Sequence, residues 1–225
     1  MSVVGGSRET GRLGSSIRTM VVLAVLAVAV PVGASEAQQW GRAGVRAGVA
    51  GSILSLRVEH RAEDGLLNGY YSGLSTGIER PLGKHLLVGL SYARIERRSG
   101  SAWSVEHRPY ADAALGWKVA ALGIQDRNRL ELRLRGDDEA FRYRNRLKLS
   151  HPLGETGLRV SVDDEVFVDL EDWELNRNRL TTGVQLSLPG SLSVGAFHVL
   201  ESSKTGDGWT DFNAVGASVD HTLQF

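Results

Sequence analysis

The sequence predicts an all-β fold: a membrane-spanning, antiparallel, up-and-down β-barrel of about ten strands, with eight and twelve as the neighbouring counts. Three observations predict it. From residue 52 to the end the chain reads in a period of two, with almost no helical period. Most of the alternating runs reach ten or more residues, whereas a tilted transmembrane strand needs about 9–11 and an ordinary globular strand about 5–6. Compact Pro/Gly turns alternate with more polar, more charged connections, as in an outer-membrane barrel with tight periplasmic turns.

The N-terminus reads as an export signal. Arg8, Arg12 and Arg18 precede the apolar run VVLAVLAVAV (21–30), and the small residues of PVGASEA (31–37) follow; a basic region, a short apolar region and a cleavage site are the three parts of a signal peptide. The apolar run falls short of the roughly 20 residues of a membrane-spanning helix. Residues 1–37 are expected to be a cleaved signal peptide, with the cut after Ala34 or Ala37. Residues 38–51 are then an N-terminal periplasmic segment, and 52–225 are the barrel.

The predicted strands are 52–62, 68–80, 85–97, 103–118, 126–136, 140–151, 156–169, 173–188, 192–201 and 209–225. PLGK (81–84), HPLGETG (151–157) and LPGS (188–191) are compact turns. RAEDGLLNG (61–69), RRSGSA (97–102), RGDDEA (135–140), DLED (169–172) and SSKTGDG (202–208) form the polar set. The connection at 119–127 has no Pro/Gly turn signature. Each even-numbered predicted strand opens with aromatic residues: Tyr70 and Tyr71, Trp103, Phe141 and Tyr143, Trp173, then Trp209 and Phe212. With both termini periplasmic, these residues share one interface and predict an aromatic girdle. The final run VDHTLQF alternates and ends on Phe225, which looks like the signal read by the outer-membrane assembly machinery.

Charge follows the same alternation. In FRYRNRLKL (141–149) the apolar set alternates with Arg142, Arg144, Arg146 and Lys148. Neighbouring runs place Arg57, Glu59 and Arg61 on one face, then Arg129, Glu131, Arg133 and Arg135, then Arg159, Asp163 and Glu165, then Arg177 and Arg179. A lipid-facing Arg at mid-membrane costs about 2–4 kcal/mol, so these faces must point into the barrel. Two readings of such an interior stand: a ladder of salt bridges that fills and stiffens it, or a basic constriction that selects small anionic solutes. Which holds depends on whether Glu131, Asp163 and Glu165 neutralise Arg142, Arg144 and Arg146. Asp164 breaks the pattern, because strict alternation turns it outward; a bulge or a place near the outer interface would each account for it.

Several of these segments together resemble a bacterial family, domain of unknown function 2490: RNRLELRLR (127–135), FRYRNRLKLSHPL (141–153), LRVSVDDEVFVDL (158–170), NRNRLTTGVQLSL (176–188) and DHTLQF (220–225). The similarity continues more faintly through LSLRVEHR (54–61) and GLSYARIERR (89–98). The resemblance implies an outer-membrane barrel and transfers no activity and no catalytic residue.

Other chemistries find little support. The 26 basic and 26 acidic side chains balance, so no global field draws the chain to a polyanion. There is no cysteine, which excludes disulfides, thiolate metal sites and a cysteine-borne lipid anchor. The six histidines form no metal-binding pair motif. GLSTG (73–77) matches a serine-nucleophile motif but sits inside a predicted strand with no helix after it. The adjacent pairs Glu59–His60, Glu106–His107 and Asp220–His221 face opposite ways on a strand and make poor acid–base dyads. The basic strands offer no exposed aromatic stacking face, so no nucleic-acid partner is expected. The expectation is a non-enzymatic outer-membrane barrel without cofactor or metal, partnered by outer-membrane lipid, the barrel-assembly machinery and small anionic solutes. A barrel hydrolase of lipid or peptide and a soluble exported β-sandwich are the alternatives.

Overall fold

The computed structural model describes residues 37–63, 68–206 and 208–223. Among them, eleven strands form one closed barrel: β1 (Gln38–Val49), β2 (Ser52–Ala62), β3 (Gly69–Leu82), β4 (Leu86–Ser99), β5 (Ala102–Val119), β6 (Leu122–Arg135), β7 (Asp138–Pro152), β8 (Leu158–Asp169), β9 (Glu174–Leu188), β10 (Leu192–Thr205) and β11 (Gly208–Leu223). Consecutive strands pair antiparallel, and β1 closes the barrel against β11 in parallel. The all-β barrel expected from sequence is what forms, and a two-sheet sandwich is not. The expected signal peptide and the terminal Phe225 lie outside the described residues.

The ten predicted strands are β2 to β11. The eleventh, β1, occupies residues 38–49, which sequence reading assigned to a periplasmic leader of 38–51. That assignment is corrected: QQWGRAGVRAGV alternates Trp40, Arg42, Gly44 and Arg46 with Gly41, Ala43, Val45 and Ala47. Its two faces contrast charge with small residues, so the pattern lacks the Leu/Ile/Phe signal of the other strands. An odd number of strands in an up-and-down order returns the last strand parallel to the first. Gln38 pairs with Ala214, and Ala47 pairs with Leu223. The start of β1 and the end of β11 therefore lie at opposite rims, which corrects the expectation that the barrel begins and ends on one side.

The seam requires glycine. A Cβ on Gly216 would stand 2.5 Å from the Trp40 carbonyl oxygen, and one on Gly44 would stand 2.6 Å from Asp220 Oδ1. At Gly216 the obstacle is backbone, so the two strands approach there because the position carries no side chain; at Gly44 it is the end of the Asp220 side chain, which can turn aside.

The rims differ in charge more than in length. One, the acidic rim, joins β2 to β3, β4 to β5, β6 to β7, β8 to β9 and β10 to β11, and carries Asp137, Asp138, Glu171 and Asp172. The other, the turn rim, carries the remaining connections, including Ala50–Gly51 and Ala120–Ala121. Ala120 adopts a φ of 52°, so the turn at 119–127 is made without the glycine that would have announced it.

The girdle is partly as expected. Trp103, Phe141, Trp173 and Trp209 are exposed near the acidic rim. Tyr71 and Phe212 are corrected to the interior: Tyr71 is buried against Ala93 and Ile95, and Phe212 packs on Trp40. Asp164 points outward with no bulge, the local register shift falling between Phe167 and Val168. It accepts a hydrogen bond from Asn178 Nδ2 at 2.8 Å. On the adjacent strand β7, outward-facing Asn145 donates to Asp126 at 2.6 Å and to Asn128 at 3.2 Å. A self-satisfied polar row thus crosses the outer face of β6 to β9.

The seam register is directly testable. The native chain has no cysteine, and Ala43 and Val219 are register partners on β1 and β11, with the Cα spacing of about 5 Å typical of paired strands and within disulfide range. Oxidation of an Ala43→Cys/Val219→Cys variant is expected to give an intramolecular cross-link, read as a mobility change that reductant reverses. A barrel closed between β2 and β11 would leave both thiols free.

Candidate functional site

Alternation along every strand sends one set of side chains into the lumen, and their sizes divide it into two halves. Toward the acidic rim the inward residues are large. Trp40, Ile95, Glu131 and Phe167 are among the most deeply buried side chains, and Arg142, Glu165, Arg179 and Glu201 are also buried. Toward the turn rim they are small: Gly44, Ser55, Gly73, Ser75, Gly89, Ser91, Ser161, Gly183 and Ser218 line two adjoining cavities of about 360 and 170 Å³. The GLSTG motif has its explanation here, since Gly73 and Ser75 are cavity wall on β3, with no helix following.

The filled half is an ionic lattice. Glu131 accepts from Arg142 Nε at 2.9 Å and Arg144 Nη1 at 2.5 Å, with Arg129 at 3.6 Å and Arg108 at 3.7 Å. Glu165 Oε1 accepts from Arg127 at 2.6 Å and Arg144 at 2.8 Å, while Oε2 faces Arg179 at 3.8 Å. Glu106 binds Arg108 through Nε at 2.7 Å and Arg133 at 3.2 Å, and also takes Arg135. Glu201 takes Arg179 Nε at 2.6 Å and Arg177 at 3.1 Å. Glu59 takes Arg61 at 2.6 Å and Arg42 at 3.3 Å. Shared carboxylates hold the guanidinium planes in fixed orientations: Arg133 spans both oxygens of Glu106, Arg144 bridges Glu131 and Glu165, and Arg142 sets two nitrogens on one oxygen of Glu131.

A cation–aromatic stack crosses the lumen through this lattice. The Arg61 guanidinium carbon lies 4.3 Å from the Tyr71 ring centroid and 3.8 Å from that of Trp40. Arg179 lies 5.1 Å from Trp40 and 5.2 Å from Phe167, and Arg144 covers Phe167 at 4.6 Å. Alternating cations and rings from β3, β2, β1, β9, β8 and β7 thus fill the acidic-rim half, and each desolvated contact of this kind contributes about 2 kcal/mol.

The sequence-derived site residues sort between the halves. Glu59, Glu131, Arg133, Arg142, Arg144, Glu165, Arg177 and Arg179 belong to the lattice. All of these but Arg133 also border the larger cavity, as do Arg57, Arg146, Lys148 and Asp163; among the described residues none of the last four makes an ion pair within 4.0 Å. Arg159, by contrast, is exposed near the turn rim and has no ion-pair partner among the described residues. Thus Glu131 and Glu165 neutralise Arg142 and Arg144 but leave Arg146. Sequence reasoning missed Trp40 and Arg42, which lie in the strand taken for a leader. It also missed Glu106, Arg108 and Glu201. The Glu106/Arg108 spacing of two was a usable signal; Glu201, a single charge in an apolar strand, was not.

Thirteen basic and five acidic side chains line the larger cavity. Part of that excess is balanced from behind by Glu106 and Glu201, and by Asp112, which accepts from Arg129 at 2.7 and 3.0 Å. Nine of the thirteen are ion-paired in the lattice, which leaves Arg57, Arg97, Arg146 and Lys148 against Asp163 and Asp220, a positive balance in a chain whose formal charge is zero. No group of three or more His, Cys, Asp or Glu able to hold a metal occurs among the described residues.

Glu131→Gln keeps the shape of its side chain and removes the charge shared by four arginines. Breaking a buried ion pair from one side costs about 3–5 kcal/mol. The variant is expected to lose its folded gel form at a clearly lower temperature than wild type, whereas Glu155→Gln on the turn rim should not.

No curated protein matches the chain. A family sequence model described as "Protein of unknown function (DUF2490)" matches residues 38–211. The match begins at the first residue of β1 and ends within β11, so it takes in the whole ionic lattice. By this match over most of its length, the chain belongs to the DUF2490 family.

Proposed function

We propose that this protein is an outer-membrane barrel whose lumen accepts small anions from the turn-rim side, as a narrow basic vestibule closed toward the acidic rim. The observation that carries the reading is the cationic excess lining the cavity, thirteen basic against five acidic side chains. Rings of Arg and Lys are what anion-selective pores use.

The outer surface supports the membrane half of the reading. Leu54, Leu56, Val58, Leu74, Ile78, Leu90, Leu130, Leu147, Val162 and Val184 all face outward and exposed. An apolar belt of this extent on a closed barrel is unfavourable against water and fits hydrocarbon. Strands of 11 to 18 residues exceed what a tilted span requires. The outward Asp126, Asn128, Asn145, Asp164 and Asn178 satisfy one another by hydrogen bonding, which lowers the cost of placing them in such a belt. The lattice and its aromatic stack favour a vestibule over a through-channel.

Refolded protein should migrate differently before and after boiling on a detergent gel and should partition into lipid vesicles. In a planar bilayer, wild type is expected to pass little steady current, and a Trp40→Ala/Phe167→Ala variant to conduct with anion selectivity. Water-soluble protein with no gel shift would remove the membrane assignment, and cation-selective current through the opened variant would remove the anion assignment.

A further inference from the structure

We propose that Arg57, Arg127 and Arg146 form a binding site for a phosphoryl or equivalent tetrahedral dianion where the two cavities meet. The proposal rests on the anion-accepting reading above and adds the location and the ligand class. All three arginines line both cavities.

Arg127 and Arg146 are direct register partners on β6 and β7, with both side chains inward. Like charges placed opposite each other across an antiparallel pair are destabilising, and the anion the fold sets beside them is Glu165, opposite Arg146 on β8 and paired with Arg127. That carboxylate and Asp112 are already committed. Glu165 Oε1 is shared by Arg127 at 2.6 Å and Arg144 at 2.8 Å. Asp112 is held by Arg129, and Arg127 Nε reaches it only at 3.8 Å. Arg146 has one weak hydrogen bond, from Nη2 to Gln125 Oε1 at 3.5 Å.

The Nε atoms of Arg127 and Arg146 are buried with no hydrogen-bond partner. A buried, unsatisfied guanidinium donor is costly, and these two belong to the same facing pair. Arg57 on β2 lines the same space and has no ion pair among the described residues. Two wall carboxylates make no ion pair: Asp163 sits opposite Lys148 in the register, and Asp220 on β11 lines both cavities, which leaves one uncommitted carboxylate among three arginines. Small wall residues, Gly73, Ser75, Ser161 and Gly183, leave the room.

Two guanidinium forks and a third cation select for geometry as well as charge. A tetrahedral oxyanion accepts several N–H donors at once in the planar fork arrangement, whereas a halide offers one centre and no fork. The ligand class is therefore a phosphate, free or carried as a small monoester, with sulfate as its isostere.

The test is titration of the refolded full chain in detergent at low salt with inorganic phosphate, glycerol 3-phosphate, sulfate and chloride. Phosphate and sulfate are expected to bind well ahead of chloride. Arg127→Gln and Arg146→Gln should each weaken phosphate binding by about 10-fold or more, the scale of a lost charge-assisted hydrogen bond. Arg146→Lys, which keeps the charge and loses the fork, should fall between. Tighter binding of the ester than of phosphate assigns the monoester as the source, and the reverse assigns free phosphate; both support the site. Without ligand, Arg146→Gln should keep or raise the unfolding temperature, because a repelled charge is gone, whereas Arg127→Gln also gives up its pair with Glu165 and should lower it; both should lose the upward shift that phosphate gives wild type. Phosphate binding that matches chloride and is unchanged in the variants overturns the site and leaves the cationic vestibule standing. Absence of binding by every anion overturns both.

Discussion

The constraint on which the structure depends is that its arginines have only one place to go. The outer faces of β2 to β11 are mostly leucine, valine, alanine and aromatic rings, so charge on the strands is directed inward. There each guanidinium must find an acceptor or a ring face, since an isolated buried charge is far more costly than any single contact recovers. Glu131 and Glu165 meet the demand by serving several arginines each, and Phe167 and Trp40 by each lying against several guanidinium groups. Beside Arg146 the acceptors are outnumbered, because Glu165, opposite it in the register, is already shared by Arg127 and Arg144.

Closure of the barrel and packing of its interior are the same event. Trp40 comes from β1, the strand that completes the circle, and it is the ring shared by Arg42, Arg61 and Arg179. Without β1 the stack from Tyr71 to Phe167 would lack its centre, and β2 and β11 would each present an unpaired edge. The parallel seam is accordingly fixed from inside by a cation–aromatic contact and from the backbone by Gly216. The two halves of the lumen follow from inward residue size: large and charged beside the acidic rim, glycine and serine beside the turn rim.

Much of this was legible in the sequence, and the parts that were not have physical reasons. FRYRNRLKL displays β7 plainly because its two faces differ as much as side chains can. QQWGRAGVRAGV hides β1 because glycine and alanine on the outward face carry little hydrophobic signal, although its inward Trp40, Arg42 and Arg46 alternate in the proper period. Alternation assigned Arg142 to Lys148 inward and Asp164 outward, and the register holds at both. What alternation cannot supply is which carboxylate reaches which arginine across strands. The sequence left Arg142, Arg144 and Arg146 equivalent, whereas in the fold Arg142 meets Glu131 in register, Arg144 reaches across to Glu131 and Glu165, and Arg146 lies between Arg127 and Glu165 without an ion pair. The zero formal charge was misleading in a similar way, because acids concentrate on the acidic rim and bases in the lumen.

The central claim is that the turn-rim half of the lumen is an accessible cavity with a net positive field. A single cysteine in place of Ser75, in the wall of both cavities, reports on it directly when the refolded protein is treated with small thiol reagents that differ only in the sign of their charge. The account predicts that the anionic reagent reacts several-fold faster than the cationic one at low ionic strength, with the ratio falling toward unity as salt screens the field. A cysteine that reacts faster with the cationic reagent, or that reacts with neither while the barrel is folded, would contradict it.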